Sequence, residues 1–504
     1  MGKLLIAALL AASSAPAFAQ GAPPAAQAGF TDRIEAVGPS LDPLFERFMA
    51  EAHVPGLVFG IVADGRIAYV QTLGHRNLHD RDIVTPDTLF RIASMSKAFT
   101  ALAILKLRDE GRLSLDAPAE TYVPEMRGWR YPTTDSPRIR VRDLLSHAGG
   151  LVTDDPWGDR QQILPEADFT RMLRQGVPFT RAPETAYEYS NFGYALLGRI
   201  VTNVSGRPYK DYIEREIMRP LGMESTGYDI FAAPRDRRAL GYRWENDAHA
   251  PEPDMAHGSF GAMGGVQTSA RDYARWVAFL LSAWPARDGP ERGPVRRATV
   301  RELAQGLNFV AVARRPGQPD SCPQAAAYAM GLRVAQDCDL GLTLAHGGGY
   351  PGYGSYVLLL PEHGIGLFAF ANRTYAGPSA PVWAAALALH RAGLLMHRPV
   401  PVSDALARAY QGARLMWMEG SLESGSDLLA MNFLMDRSAE NWAAELARLR
   451  EQTGPCNHDG PLVATGALSG RFTWTCERAR LEGQLLLAPT TPPTIQAFRL
   501  RVVP

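Results

Sequence analysis

Two apolar runs far apart in the sequence read as β-hairpins, and they constrain the fold more than any other feature. Leu57-Val58-Phe59-Gly60-Ile61-Val62, the turn at Asp64-Gly65 and residues 66–73 form the first. Residues 356–360, a turn near His363-Gly364 and residues 365–371 form the second. A helical pattern over 41–52 precedes the first hairpin and another over 382–395 follows the second. Between the hairpins the patterns are mostly helical with long loops, for example 94–110, 141–146 and 192–204. Strands at both ends with helices between predict an α+β fold: one antiparallel sheet flanked by helices and carrying an inserted helical region. Two polar Pro/Gly/Arg-rich stretches, 284–297 and 313–323, read as surface loops.

Past a linker at His397-Arg398-Pro399-Val400-Pro401 the pattern changes. Helical segments (405–418, 439–452) are followed by short strand-like ones (462–465, 471–475, 484–488), which predicts a separate small α+β domain over 401–504. The chain of 504 residues has room for two or three domains. Residues 1–19 read as a secretory signal, with Lys3, an apolar core from Leu4 to Ala12 and the small residues Ala17-Phe18-Ala19 before the expected cut. That core is too short for a stable membrane span. Residues 20–34 read as a leader and 35–398 as the main domain, so the expected location is periplasmic or secreted.

An oxidising compartment permits disulfides. The four cysteines are expected to pair as Cys322–Cys338 and Cys456–Cys476, because each pair closes a short local loop. No Cys/His cluster has metal spacing, so neither a metal nor another cofactor is expected. With 52 basic and 52 acidic residues there is no electrostatic case for a nucleic-acid partner. The expected partner is a small-molecule or peptide substrate, with the oligomeric state left open.

The chemistry concentrates at Ser94-Met95-Ser96-Lys97, at the start of a helical pattern that stops near Gly111. Residues three apart share a helix face, so the Ser94 hydroxyl and Lys97 amine can meet. A serine needs a base to become a nucleophile, and a lysine serves only when burial or a nearby cation lowers its pKa. The 52 basic residues include only four lysines (Lys3, Lys97, Lys106, Lys210), so a lysine here stands out. The plainer reading makes Ser94 a helix cap and Lys97 a solvated charge. Tyr189-Ser190-Asn191, just before another helical stretch, could supply a proton-carrying phenol and an amide for the lysine or a substrate carbonyl. His346-Gly347-Gly348-Gly349 precedes the second hairpin, where glycines let a substrate lie against backbone and a peptide N–H could serve an oxyanion hole. Residues 347–352 formally match a dinucleotide-binding fingerprint, but a strand follows where a helix is needed.

In this order the three elements resemble the serine β-lactamase and penicillin-binding protein superfamily, in particular class C β-lactamases, D-aminopeptidases and related esterases. The stretch from Thr85 to Ser94, together with Leu144-Leu145-Ser146-His147, Gly264-Gly265-Val266 and Pro351-Gly352, extends the resemblance over roughly 35–395. The resemblance implies a β-lactamase/transpeptidase-like fold and an acyl-enzyme on Ser94. Lys97 and Tyr189 would share the acid–base work, with the choice of base open. It implies that Asn191 holds the substrate carbonyl side and Lys97, that the N–H groups of Ser94 and Gly349 form the oxyanion hole, and that His346, Gly347 and Gly348 line the substrate. Penicillin-hydrolysing members usually carry Lys or Arg where this chain has His346, which titrates near pH 6.5. The reading therefore leans to an esterase or a peptidase on short or D-residue peptides. The alternatives are a class C-like β-lactamase or D,D-carboxypeptidase and, from another class, a non-catalytic peptidoglycan-binding protein.

Overall fold

The structure, a computed structural model, describes residues 29–503. The expected signal segment and the leader through residue 28 lie outside the described residues. Nine strands build the main sheet: β1 (Gly56–Ala63), β2 (Arg66–Asn77), β3 (Asp82–Ile83), β4 (Asn308–Ala313), β5 (Gln324–Tyr328), β6 (Arg333–Asp337), β7 (Gly341–Tyr350), β8 (Tyr353–Leu360) and β9 (Ile365–Ala371). Their order is β3-β2-β1-β9-β8-β7-β6-β5-β4, with antiparallel neighbours throughout. The two hairpins meet at the centre, where β1 pairs β9 from Leu57–Ala371 to Ala63–Ile365.

Helices cover both faces of this sheet: α1 (Phe30–Val37), α2 (Asp42–Glu51), α3 (Lys97–Asp109), α4 (Asn191–Ser205), α5 (Ala270–Leu281) and α6 (Ser379–Arg391). The side-chain alternation of a strand divides β1 between them. Leu57, Phe59 and Ile61 join one core with residues of α1, α2 and α6, whereas Val58 and Val62 join the other with residues of α3, α4 and α5. Burial on both faces explains why β1 reads as a continuous apolar run.

The region between the hairpins is less helical than the sequence suggests. Residues 308–337 contribute β4, β5 and β6, one third of the sheet, around the loop 314–323. These strands are five or six residues long, rich in alanine, and partly exposed on β4. Their apolar alternation is correspondingly weak, and long-range pairing rather than local pattern makes them strands.

Residues 404–503 form a second sheet with its own core. Helices α7 (Asp404–Glu419) and α8 (Ala439–Thr453) pack with β10 (Cys456–Asn457), β11 (Val463–Gly466), β12 (Ser469–Cys476), β13 (Arg480–Ala488) and β14 (Thr494–Val503) around Trp417, Phe472, Trp474, Leu485 and Phe498. Cys456 stands opposite Cys476 in the β10–β12 ladder and is disulfide-bonded to it, and Cys322 is bonded to Cys338. Among the described residues no helix is long and apolar enough to cross a membrane.

Candidate active site

Ser94 sits on a single turn of 3-10 helix, Ala93–Ser96, that runs into α3. Ala93 is held at φ +48°, a left-handed conformation that a non-glycine residue adopts at a cost of about 1 kcal/mol. The turn is strapped from two sides. Ile92 N–H donates to the Val266 carbonyl and Val266 N–H to Ser96 Oγ, while Ser355 Oγ on β8 donates to the Ile92 carbonyl. The neighbouring strand β7 presses so close that a Cβ at Gly348 would stand 2.2 Å from Ser355 Oγ and 2.3 Å from the Ile92 carbonyl. Only glycine fits there, which accounts for one of the three consecutive glycines.

Lys97 lies one turn further on and is completely buried. Its Nζ is 3.0 Å from Ser94 Oγ, 2.7 Å from Asn191 Oδ1 and 2.9 Å from the Met263 carbonyl. The last two partners can only accept, so a neutral amine spends both its hydrogens on them and turns its lone pair to Ser94. Burial pulls the Lys97 pKa from its ordinary 10.5 down to about 8, against the opposing pull of Asp155, Asp159 and Asp154. The solvated-lysine alternative is thereby excluded. Tyr189 Oη donates to Ser94 Oγ at 2.9 Å. Its phenol is buried, which pushes its pKa well above 10 and keeps it protonated.

Asn191 opens α4, and its neighbours fix it. Ser190 caps the helix by accepting from Gly193 N–H, and Asp154 accepts the N–H groups of Asn191 and Phe192 at 2.7 and 2.8 Å. Asn191 Nδ2 donates to Asp155, a carboxylate that can only accept, so Oδ1 must face Lys97. His147, from the Leu144–His147 stretch, accepts from Ser190 N–H through Nδ1 at 3.1 Å and ties the Tyr189–Asn191 turn in place.

His346 corrects one expectation. Its ring is 5% exposed, with Nδ1 against its neighbour's carbonyl at 2.6 Å and Nε2 against Tyr328 Oη at 3.0 Å. The carbonyl assigns the proton to Nδ1, leaving Nε2 to accept from Tyr328. Burial drives its pKa down to about 3, with the Lys97 charge adding to the effect. His346 is therefore neutral at physiological pH, not partly charged. Among the described residues, strand β7 has no partner on the β6 side beyond Ala345, because β6 pairs only with 341–345. Residues 346–350, with Gly347 and Gly349, thus present an open strand edge close to Ser94. Tyr375 lies over Gly349, where a Cβ would meet its ring at 2.7 Å, and donates from Oη to Asp159 at 2.9 Å.

The structure brings Ser94, Lys97, Tyr189 and Asn191 into one hydrogen-bonded group and sets His346 and the three glycines beside it. Sequence reasoning missed Asp154, Asp155, Asp159, Tyr328 and Tyr375. Burial raises the Asp159 pKa to about 7, with Asp155 pushing the same way. The adjacent acids Asp154-Asp155 before Pro156 were the only signal available, and nothing in their spacing links them to Lys97.

A model of the Beta-lactamase family matches residues 41–392. Protein flp of Staphylococcus aureus (strain MW2) is 28% identical over 339 residues, covering 66% of this chain; the match spans 62% of that relative's length. The structure of the octameric penicillin-binding protein homologue from Pyrococcus abyssi superposes with a TM-score of 0.59 at 22% identity, covering 92% of this chain and 99% of that one. A class C beta-lactamase gives a TM-score of 0.57 at 21% identity over 70% of this chain and 96% of its own. These last two likenesses carry the fold.

Proposed function

The chain belongs to the Beta-lactamase family, whose members are serine hydrolases, and from that premise we propose that it is an exported serine acyl hydrolase that cleaves a small ester or a short or D-residue peptide through an acyl-enzyme on Ser94. One observation carries the reading: a completely buried lysine amine, with both its other partners restricted to accepting, lies 3.0 Å from the Ser94 hydroxyl.

In this reading Lys97 is the base of acylation. As the Ser94 oxygen bonds to the substrate carbonyl carbon, its proton passes to Lys97 Nζ. The carbonyl oxygen takes up negative charge between the N–H groups of Ser94 and Gly349, each such donor being worth about 3 kcal/mol of transition-state stabilisation. Tyr189 hands its phenolic proton to the departing oxygen or nitrogen and recovers one from Lys97. Its raised pKa suits it to carry a proton rather than to stand as a phenolate. Water then attacks the acyl-enzyme and releases the acid, returning a proton to Ser94. Asn191, oriented by Asp155, holds Lys97 and the acyl side. A neutral His346 offers no fixed cation to a penicillin carboxylate, which supports an ester or peptide over a β-lactam.

The test is a labelled fluorophosphonate with peptide mapping, run beside turnover of p-nitrophenyl esters, D-aminoacyl anilides and nitrocefin. The expected result is an adduct on Ser94, with ester or anilide turnover that vanishes in Ser94→Ala. Cell-wall peptide binding without turnover, equal in Ser94→Ala, would instead establish a non-catalytic binder.

A further inference from the structure

The second sheet has two unlike faces. Side chains alternate along its strands, so Phe472, Trp474, Leu481, Leu485 and Phe498 enter the core while their neighbours face solvent. Arginine dominates the solvent face. Across the ladder Arg471, Gln484 and Arg499 form one row, Thr473, Glu482 and Arg501 the next, and Arg480 stands beside Thr475 in the third. Residues 469–503 carry five arginines against two glutamates, in a chain with no net charge. Glu482 is bonded to Arg501 at 2.5 Å, which holds its pKa below the ordinary carboxylate range, and Arg480 and Arg471 lie near enough to add to the effect. Arg471, Arg480 and Arg499 are exposed and form no ion pair among the described residues. A cavity of about 470 Å³ lies over this face, between Arg471, Gln484, Arg499 and Arg501.

Strand β14 ends the sheet, and the basic patch continues around it. Arg499 and Arg501 also line a groove of about 640 Å³ whose opposite wall includes Phe433, Arg437 and Trp442. Arg437 lies over the Trp442 ring, 4.8 Å from its centre. The carboxylates of this groove are Asp436 and Glu445, the latter bonded to Arg448 at 2.7 Å. A single helical turn, Phe433–Asp436, is anchored where Phe433 stacks on Trp442. The remaining apolar side chains around it stay outside: Met431 is 99% and Met435 82% exposed, and Leu434 is exposed beside them. Flexible apolar side chains at the rim of an arginine face match a lipid surface. Guanidinium groups pair with phosphate oxygens in two-pronged geometry, while methionine and leucine enter the boundary of the acyl chains. A water-soluble polyanion would engage the arginines and leave Met431 and Met435 without a role.

We propose that residues 404–503 dock on an anionic lipid bilayer, with the arginine face on phosphate headgroups and Met431, Leu434 and Met435 inserted among them. Attachment of this kind is interfacial, reversible and salt-sensitive. It uses no group of the Ser94 site and stands independently of the hydrolase reading.

The test is co-sedimentation of the chain from Gln20 onward, free of the apolar run 4–12, with vesicles of phosphatidylcholine alone or with phosphatidylglycerol added. Binding should require phosphatidylglycerol and fall at least about tenfold when salt is raised from about 0.1 to 0.5 M. Arg471→Gln and Arg499→Gln should each weaken it about fivefold. Met431→Ser with Met435→Ser should weaken it about tenfold and leave its salt dependence in place. Thermal melting shows that the variants fold. Equal binding to both kinds of vesicle, binding to neither, or anionic binding that the arginine or methionine variants retain in full overturns the proposal. Capture by soluble polyphosphate without vesicle binding overturns it too, and assigns the face to a free polyanion.

Discussion

Acylation by this site should switch on with rising pH through about 8, because only the neutral Lys97 amine can take the Ser94 proton. One pH unit below that midpoint about one molecule in eleven carries the neutral amine, and one unit above it about ten in eleven do, so kcat/KM should rise roughly tenfold from pH 7 to pH 9. Other titrating groups face the amine. His346, near 3, and His147, well below its ordinary 6.5, stay neutral through this window, and Tyr189 and Tyr194 stay protonated. Burial raises the pKa of both Asp154 and Asp159, the latter to about 7. As Asp159 gains its proton on the acid side, one charge that favours lysinium disappears, so the limb below pH 7 should be shallower than tenfold per unit. Asp159→Asn makes that loss permanent and should move the midpoint down by about one unit. The assay is kcat/KM on an uncharged nitrophenyl ester from about pH 5.5 to 9.5, with the Ser94→Ala rate subtracted at each point. A flat profile would refute the assignment of Lys97 as base, as would a midpoint near 10.

Three further outcomes follow from the same geometry. Tyr189→Phe removes the phenol that donates to Ser94 Oγ and should lower kcat by about 10²–10⁴-fold while leaving the melting temperature within a few degrees. Gly348→Ala drives a methyl into Ser355 Oγ and the Ile92 carbonyl, so a loss of at least about 2 kcal/mol in urea unfolding and of most activity is expected. His346 and His147 are held neutral by burial, whereas the unfolded chain protonates them below their ordinary 6.5. Stability is therefore complete above that pH and falls as the pH drops toward 3, by about 1.4 kcal/mol per unit for each group inside the window, visible as a lower urea midpoint at pH 5 than at pH 7.

How much of this was legible in the sequence depends on the range of the interaction. The hairpins at 57–73 and 356–371 announce themselves because alternation and turn chemistry are local. Ser94 and Lys97 share a helical face, so their encounter could be read from spacing alone. Strands β4 to β6 could not be read this way, since short alanine-rich segments acquire their conformation from partners across the sheet. The carboxylates of 154–159 were invisible for a related reason: they lie some thirty residues before Asn191 and meet it only through space. The charge state of His346 is a matter of burial, which no motif encodes.

The exposed flank of β7 also bears on what else could pair with the sheet there. A strand rim with free backbone groups would ordinarily hold an extended visitor tightly, or recruit a second chain outright. Here that rim is His346 followed by three glycines, which give a guest no side chains to grip and are themselves poor strand formers. The small residues that open the rim beside Ser94 therefore also make it a poor template for strand addition by a second chain.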